Sequence, residues 1–96
     1  GELLAVDTET GQVVWRDEIG YHAWSSPVIV DNILVVSVNC ETGGGLRAYS
    51  LADPAEPTRL WQYDHASGCI ESTPAIWKGI IYVGSRDGRF YAFGER

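Results

Sequence analysis

Thirteen residues of this chain are written twice. Ser25-Ser26-Pro27-Val28-Ile29-Val30-Asp31-Asn32-Ile33-Leu34-Val35-Val36-Ser37 lines up, 47 residues later, with Ser72-Thr73-Pro74-Ala75-Ile76-Trp77-Lys78-Gly79-Ile80-Ile81-Tyr82-Val83-Gly84. Each copy reads as Ser/Thr-Pro, a short apolar strand, a two-residue turn and a second apolar strand. Asp31-Asn32 and Lys78-Gly79 are the hairpin turns. A repeat constrains the fold more than composition does. Each copy must form the same small unit, and such units bury their apolar faces by stacking on one another.

A second element recurs three times. Leu3-Leu4-Ala5-Val6 matches Leu46-Arg47-Ala48-Tyr49 and then Phe90-Tyr91-Ala92-Phe93, at spacings of 43 and 44. Trp15 pairs with Trp61, 46 residues on, because Leu51 to Thr58 is a longer, Pro-bearing connection. A period in the mid-forties is about that of a four-stranded propeller blade. The expected fold is all-β: antiparallel four-stranded blades, with strands A to D running from the inside outward. Residues 1–24 supply strands C (Leu3–Asp7) and D (Val13–Asp17) of one blade. Residues 25–63 are a full blade: Ser26–Val30, Ile33–Val38, Leu46–Ser50 and Arg59–Tyr63. Residues 70–96 give A to C of the next: Ser72–Trp77, Ile80–Ser85 and Arg89–Phe93. Val28-Ile29-Val30, Ile33-Leu34-Val35-Val36 and Ile80-Ile81-Tyr82-Val83 do not alternate, as suits strands covered on both faces. The interior of an ordinary β-sandwich is the alternative.

The turn after the first strand carries a motif. Asp7 to Gly11 is a turn cluster in which Gly11 can take φ > 0. Val13, Val14 and Trp15 resume the strand, and the indole is a large apolar anchor. Ala-x-Asp-x-x-Thr-Gly-x-x-x-Trp, filled by Ala5, Asp7, Thr10, Gly11 and Trp15, resembles the tryptophan-docking motif of the PQQ-type (quinoprotein-like) β-propellers. The resemblance covers about two blades. It implies that Trp15 docks on the neighbouring blade, that Ala48, Trp61 and Ala92 hold the equivalent positions, and that the complete ring is often eight-bladed. In the second copy the motif is degraded: Ser50 replaces the Asp, and Asp53-Pro54-Ala55-Glu56-Pro57 replaces the Thr-Gly turn.

About two blades cannot close a ring of the usual ~4–8. Leu3, Leu4 and Trp15 are expected to face one void and Tyr82, Phe90 and Phe93 the other, so the chain reads as a segment of a longer propeller. Assembly of several short chains into one ring is the less favoured alternative. The net charge of −6 argues against a nucleic-acid or anionic-membrane surface. No apolar run approaches the ~18 residues of a membrane span.

The D–A and B–C connections share one rim, where a rigid scaffold commonly carries function. Tyr21, His22, Trp24, Asn39, Glu41, Asp64 and His65 are the candidate binding residues there, against the reading that they are solvated loop. His22 and His65 hold equivalent connections, but only Glu41 or Asp64 stand near in register, too few to expect a metal site. Cys40 and Cys69 fall on the same rim in adjacent units; a disulfide closing about 30 residues and a pair of buried free thiols are both open.

No nucleophile elbow, metal-hydrolase His pair or phosphate loop is present. No catalytic, cofactor or metal residue is expected in this segment. The resemblance implies two functions. The first is a non-catalytic scaffold for protein binding or assembly, in contact with the remaining blades and with a protein or carbohydrate partner. Extracytoplasmic relatives favour a periplasmic or extracellular location. The alternative is a segment of a PQQ-dependent alcohol or sugar dehydrogenase, which would need PQQ and calcium.

Overall fold

The structure, a computed structural model, describes residues 1–20, 25–38 and 44–94. Every regular element among them is a strand, and the nine strands form three antiparallel sheets in strict sequence order. The first sheet pairs β1 (Glu2–Val6) with β2 (Val13–Glu18). The second runs β3 (Val28–Val30), β4 (Ile33–Val38), β5 (Gly44–Ser50) and β6 (Thr58–Ala66). The third runs β7 (Ala75–Trp77), β8 (Ile80–Gly84) and β9 (Phe90–Phe93). These are up-and-down sheets of a propeller fragment, as the repeat predicts.

The turns form where the backbone permits them. Asp31 and Asn32 both take positive φ (50° and 62°), as do Lys78 and Gly79 (49° and 77°). Two consecutive left-handed residues make the tight hairpin whose twist matches the flanking strands. The β1–β2 turn is held by its own side chains. Asp7 Oδ1 accepts from the amides of Glu9 and Thr10, and Thr10 Oγ1 accepts from the Gln12 amide. Gly11 supplies φ +73°. The Asp, Thr and Gly of the motif thus build the turn that aims Trp15.

The repeat survives at the level of single bonds. Ser25 Oγ lies 2.6 Å from Ser37 Oγ, and Ser72 Oγ donates to the carbonyl of Gly84 at 3.0 Å; both bonds join the same two positions of successive copies. Thr73 Oγ1 accepts from the amide of its own counterpart, Ser26.

Some boundaries differ from the sequence expectation. β3 and β7 start after Pro27 and Pro74, since proline has no N–H to give to a ladder. β6 runs on to Ala66 because Gly44 and Gly45 are strand, and Gly44 pairs with Ala66. A Cβ on Gly45 would stand 2.5 Å from the Tyr63 carbonyl oxygen, so only glycine lets β6 lie this close. Asp64 and His65 are therefore strand residues, not residues of a rim loop.

Two apolar clusters lie between the sheets. Ile19, Leu34, Val36, Val38 and Tyr49, with Leu3 and Trp15 packed on them, fill the first seam. Val35, Leu46, Ala48, Ile81 and Val83, with Tyr63, Tyr91 and Phe93, fill the second. β4 and β5 are covered on both faces, which is why their sequences do not alternate. β3 is not: Ile29 is 62% exposed. Leu3, Trp15 and Phe93 pack on the apolar clusters between the sheets, whereas Leu4 and Phe90 are exposed.

Candidate functional site

The polar side chains that the fold concentrates lie in the seam between the first and second sheets. Asp17, on β2, sits on the same face as Trp15, two residues back. Its Oδ2 accepts the phenolic proton of Tyr49 at 2.6 Å and faces Arg47 Nη1 at 3.2 Å. Arg59 closes on it with two bonds, Nε to Oδ2 and Nη2 to Oδ1, both 2.9 Å. Arg47 is 5% exposed. Its Nε donates to Gln62 Oε1 at 2.7 Å, and its Nη1 donates to the Glu18 carbonyl at 2.7 Å and lies 2.9 Å from Tyr49 Oη. The buried cation thus meets four groups of the protein through Nε and Nη1, in keeping with the need to pair a buried charge.

A β-bulge makes this clasp possible. In the second sheet Trp61 pairs with Ala48 but Arg59 pairs with Tyr49, so Leu60 is an extra residue. One extra residue reverses which face the chain presents. Arg59, which simple alternation would put on the Trp61 face, comes round to the Tyr49 side and reaches Asp17. The first sheet has the same irregularity at Val14, between the pairs Val6–Val13 and Ala5–Trp15.

The electrostatics follow from the bonds. The Arg59 guanidinium, with help from Tyr49 and Arg47 and against partial burial, pulls the Asp17 carboxyl down from 3.8 to about 2. Burial pushes the Tyr49 phenol up, and the Asp17 hydrogen bond raises Arg59. The larger effect on Asp17 comes from Arg59, which is the more exposed of the two arginines.

A second carboxylate works in the same way farther along. Asp87 accepts from the Tyr91 phenol at 2.6 Å, from the Ser67 amide and hydroxyl, and from the Arg89 amide at 2.8 Å. The Tyr91 bond is the chief cause that lowers its pKa to about 2. The Ser67 bonds to Asp87 tie the β8–β9 turn to the segment after β6. The seam between the second and third sheets is otherwise aromatic, with Tyr63 centred 4.9 Å from Phe93 and 5.9 Å from Tyr91. Each seam also holds an open groove. The larger, about 720 Å³, is lined by Trp61, Tyr63, Leu60 and Phe93 together with Asp31 and Lys78. The smaller, about 360 Å³, is lined by Leu3, Leu4 and Trp15 and by Pro54 and Pro57 of the β5–β6 connection.

Of the sequence-predicted residues, Trp15 and Trp61 lie opposite Ala5 and Ala48 in their sheets, and Ala92 pairs with Tyr82. The Trp15 ring meets Tyr49 of the next sheet edge-on at 5.3 Å. Asp64 and His65 are mostly exposed; their side chains approach to 3.7 Å, and the His65 ring meets Tyr63 edge-on at 5.4 Å. Tyr21, His22, Trp24, Asn39, Cys40 and Glu41 lie outside the described residues. Cys69 is not a free thiol. Sequence reading missed the clasp of Arg47, Tyr49 and Arg59 on Asp17. The available signal was an arginine inside an otherwise apolar strand, next to the conspicuous Ala48.

A family model described as "Outer membrane protein assembly factor BamB" (PQQ_2) matches residues 1–96. Among curated proteins, the chain is 31% identical over 93 residues to the outer membrane protein assembly factor BamB of Shewanella oneidensis, covering 93% of this chain and 22% of that protein. It is 32% identical over 78 residues to the quinohemoprotein alcohol dehydrogenase of Comamonas testosteroni, covering 71% of this chain and 10% of that protein. The chain therefore spans little more than a fifth of the first relative and about a tenth of the second.

Proposed function

Since the chain belongs to the PQQ_2 family of BamB-type repeat proteins, we propose that it is a non-catalytic segment of a larger propeller that serves as a scaffold for protein binding or assembly. One observation carries the reading: where the hydrogen bonds of its buried and half-buried charges go. Asp17 is engaged by three side chains of the neighbouring sheet, and Arg47 by four groups of the protein. Groups so saturated by the fold hold sheets together. They are not free to bind a substrate or to move protons. In this reading Ala5, Asp7, Thr10, Gly11 and Trp15, with Ala48, Trp61 and Ala92, are docking positions. The partners are the other blades of an often eight-bladed ring, and a protein or carbohydrate met by exposed residues such as Asp64 and His65 near the end of β6. A location outside the cytoplasm is supported by the oxidised state of Cys69 and by the name of the first relative.

The likeness to a quinohemoprotein alcohol dehydrogenase favours the second reading, a segment of a PQQ-dependent enzyme. Calorimetric titration of the whole protein with PQQ and calcium separates the two. The scaffold reading expects no stoichiometric uptake. Tight uptake accompanied by dye-linked alcohol oxidation overturns it.

A further inference from the structure

The two seams are made from the same positions and from different chemistry. Trp15 stands opposite Ala5, and Trp61 opposite Ala48. Two residues on, each Trp strand presents one more side chain to the next sheet: Asp17 in the first case, Tyr63 in the second. The receiving strands match in the same way. Arg47 and Tyr49 flank Ala48 on β5, and Tyr91 and Phe93 flank Ala92 on β9. In the first seam the Asp17 carboxylate meets a phenol at 2.6 Å and a buried guanidinium at 3.2 Å. In the second, the Tyr63 ring meets two rings at 4.9 and 5.9 Å.

We propose that the side chain two residues past each seam tryptophan, read against the pair flanking the receiving alanine, is a pairing code that decides which sheet docks on which. Its two words on this chain are acid against arginine–phenol, and phenol against two aromatics. The physical basis is the penalty for a mismatch. Asp17 set against Tyr91 and Phe93 would bury a carboxylate among rings with no cation. Tyr63 set against Arg47 would leave that guanidinium buried without its carboxylate, and an uncompensated buried charge is strongly destabilising. A chain of near-identical sheets needs such a device. With one common apolar seam, a sheet could dock on the wrong neighbour or on a second copy of the chain, the characteristic misfolding of repeat proteins. The backbone period makes the sheets interchangeable, and the seam residues make them distinct.

The test transplants one word into the other seam and reads urea unfolding at low and high salt. Tyr63→Asp is expected to lower the folding equilibrium constant at least about tenfold. Adding Tyr91→Arg is expected to recover most of that loss, with a recovered part that shrinks in 1 M salt, as an ion pair's does. In the other direction, Asp17→Tyr is expected to destabilise and Arg47→Tyr to rescue it, leaving the first seam insensitive to salt. If a single variant does not fold, a pair that folds counts as rescue. Rescue in neither direction, or rescue of Tyr63→Asp that ignores salt, overturns the code.

Discussion

Tyr49 donates its phenolic proton to Asp17 Oδ2 at 2.6 Å across the seam between two sheets, although 32 residues separate them in the chain. The same ring receives the edge of Trp15 at 5.3 Å. One side chain therefore takes both the apolar and the polar half of what β2 presents. Tyr49 is fully buried, and that burial raises the phenol's pKa.

Acid should open this seam. Asp17 sits at about 2 in the folded chain against 3.8 when unperturbed. A carboxylate with a depressed folded pKa contributes stability that is fully present above about pH 4 and is lost as the pH falls towards 2. The full linkage for such a shift is about 2 kcal/mol; the partial exposure of the side chain reduces it to roughly 1–2 kcal/mol. Urea unfolding of the parent and of Asp17→Asn between pH 2 and 7 gives the difference directly. Parallel curves over the acidic limb would show that Asp17 is not held by its partners.

The two arginines of the clasp should not be equivalent, despite sharing one acceptor. Arg59 dominates the pKa of Asp17 but is 55% exposed, and exposed pairs contribute at most about 1 kcal/mol. Arg47 is buried, and its loss removes at once a donor to Gln62, to the Glu18 carbonyl and to Asp17 and leaves a cavity beside Tyr49. Arg59→Ala is expected to cost under about 1 kcal/mol, and Arg47→Ala about 3 kcal/mol or more. Denaturant melts that rank them the other way would place the weight of the clasp on the surface bond.

Glycines at two places should respond differently to a single methyl group. Gly11 has open space around its Cβ position and a φ of +73°, so Gly11→Ala should cost about 1–2 kcal/mol of backbone strain, and Gly11→Asn less. Gly45 would drive its Cβ to 2.5 Å from a backbone oxygen of β6. Gly45→Ala should therefore separate β5 from β6, with a loss larger than that at Gly11. Hydrogen exchange at Asp64–Ala66 is the sensitive readout, since those amides depend on the close approach.

These residues mark where the sequence was legible. The hairpins could be read because Asn32 and Gly79 tolerate positive φ, and the Trp–Ala pairs because each stands out against apolar strands. The end of β6 could not be read, because Asp64 and His65 look like loop residues until Gly44 and Gly45 bring a partner strand within reach. The clasp was hidden for a different reason. A single bulged residue, Leu60, reverses the face of Arg59, and no periodicity argument carries through a change of parity. Its partners also lie 30 to 42 residues apart, on three strands of two sheets.

Reduction should weaken the chain. Cys69 is not a free thiol, and the sequence holds one other cysteine, Cys40, outside the described residues. A Cys40–Cys69 bridge closing about 30 residues is expected to contribute roughly 3 kcal/mol. Mass spectrometry of a non-reducing digest should show the linked peptides, and reductant should lower the unfolding midpoint. Two alkylated cysteines in the native, unreduced protein would rule the bridge out.

Trp15 and Trp61 occupy matching positions, and the degraded motif of the second copy suggests that Trp61 matters less. The structure gives a physical reason. Trp15 is half-buried against Tyr49, beside Pro54 and Pro57 of the β5–β6 connection, in the smaller groove. Trp61 is 41% exposed and lines a groove twice that volume. Full burial of an indole would put Trp→Ala at about 3–5 kcal/mol. The partial exposure of Trp15 sets it near the low end, at about 3 kcal/mol, with Trp61→Ala at about 1–2 kcal/mol. Denaturant melts of the two variants test the ranking. A Trp15→Ala loss below about 1 kcal/mol would mean that the indole does not join the first sheet to the second. Equal losses at both sites would mean that the larger groove is closed in solution.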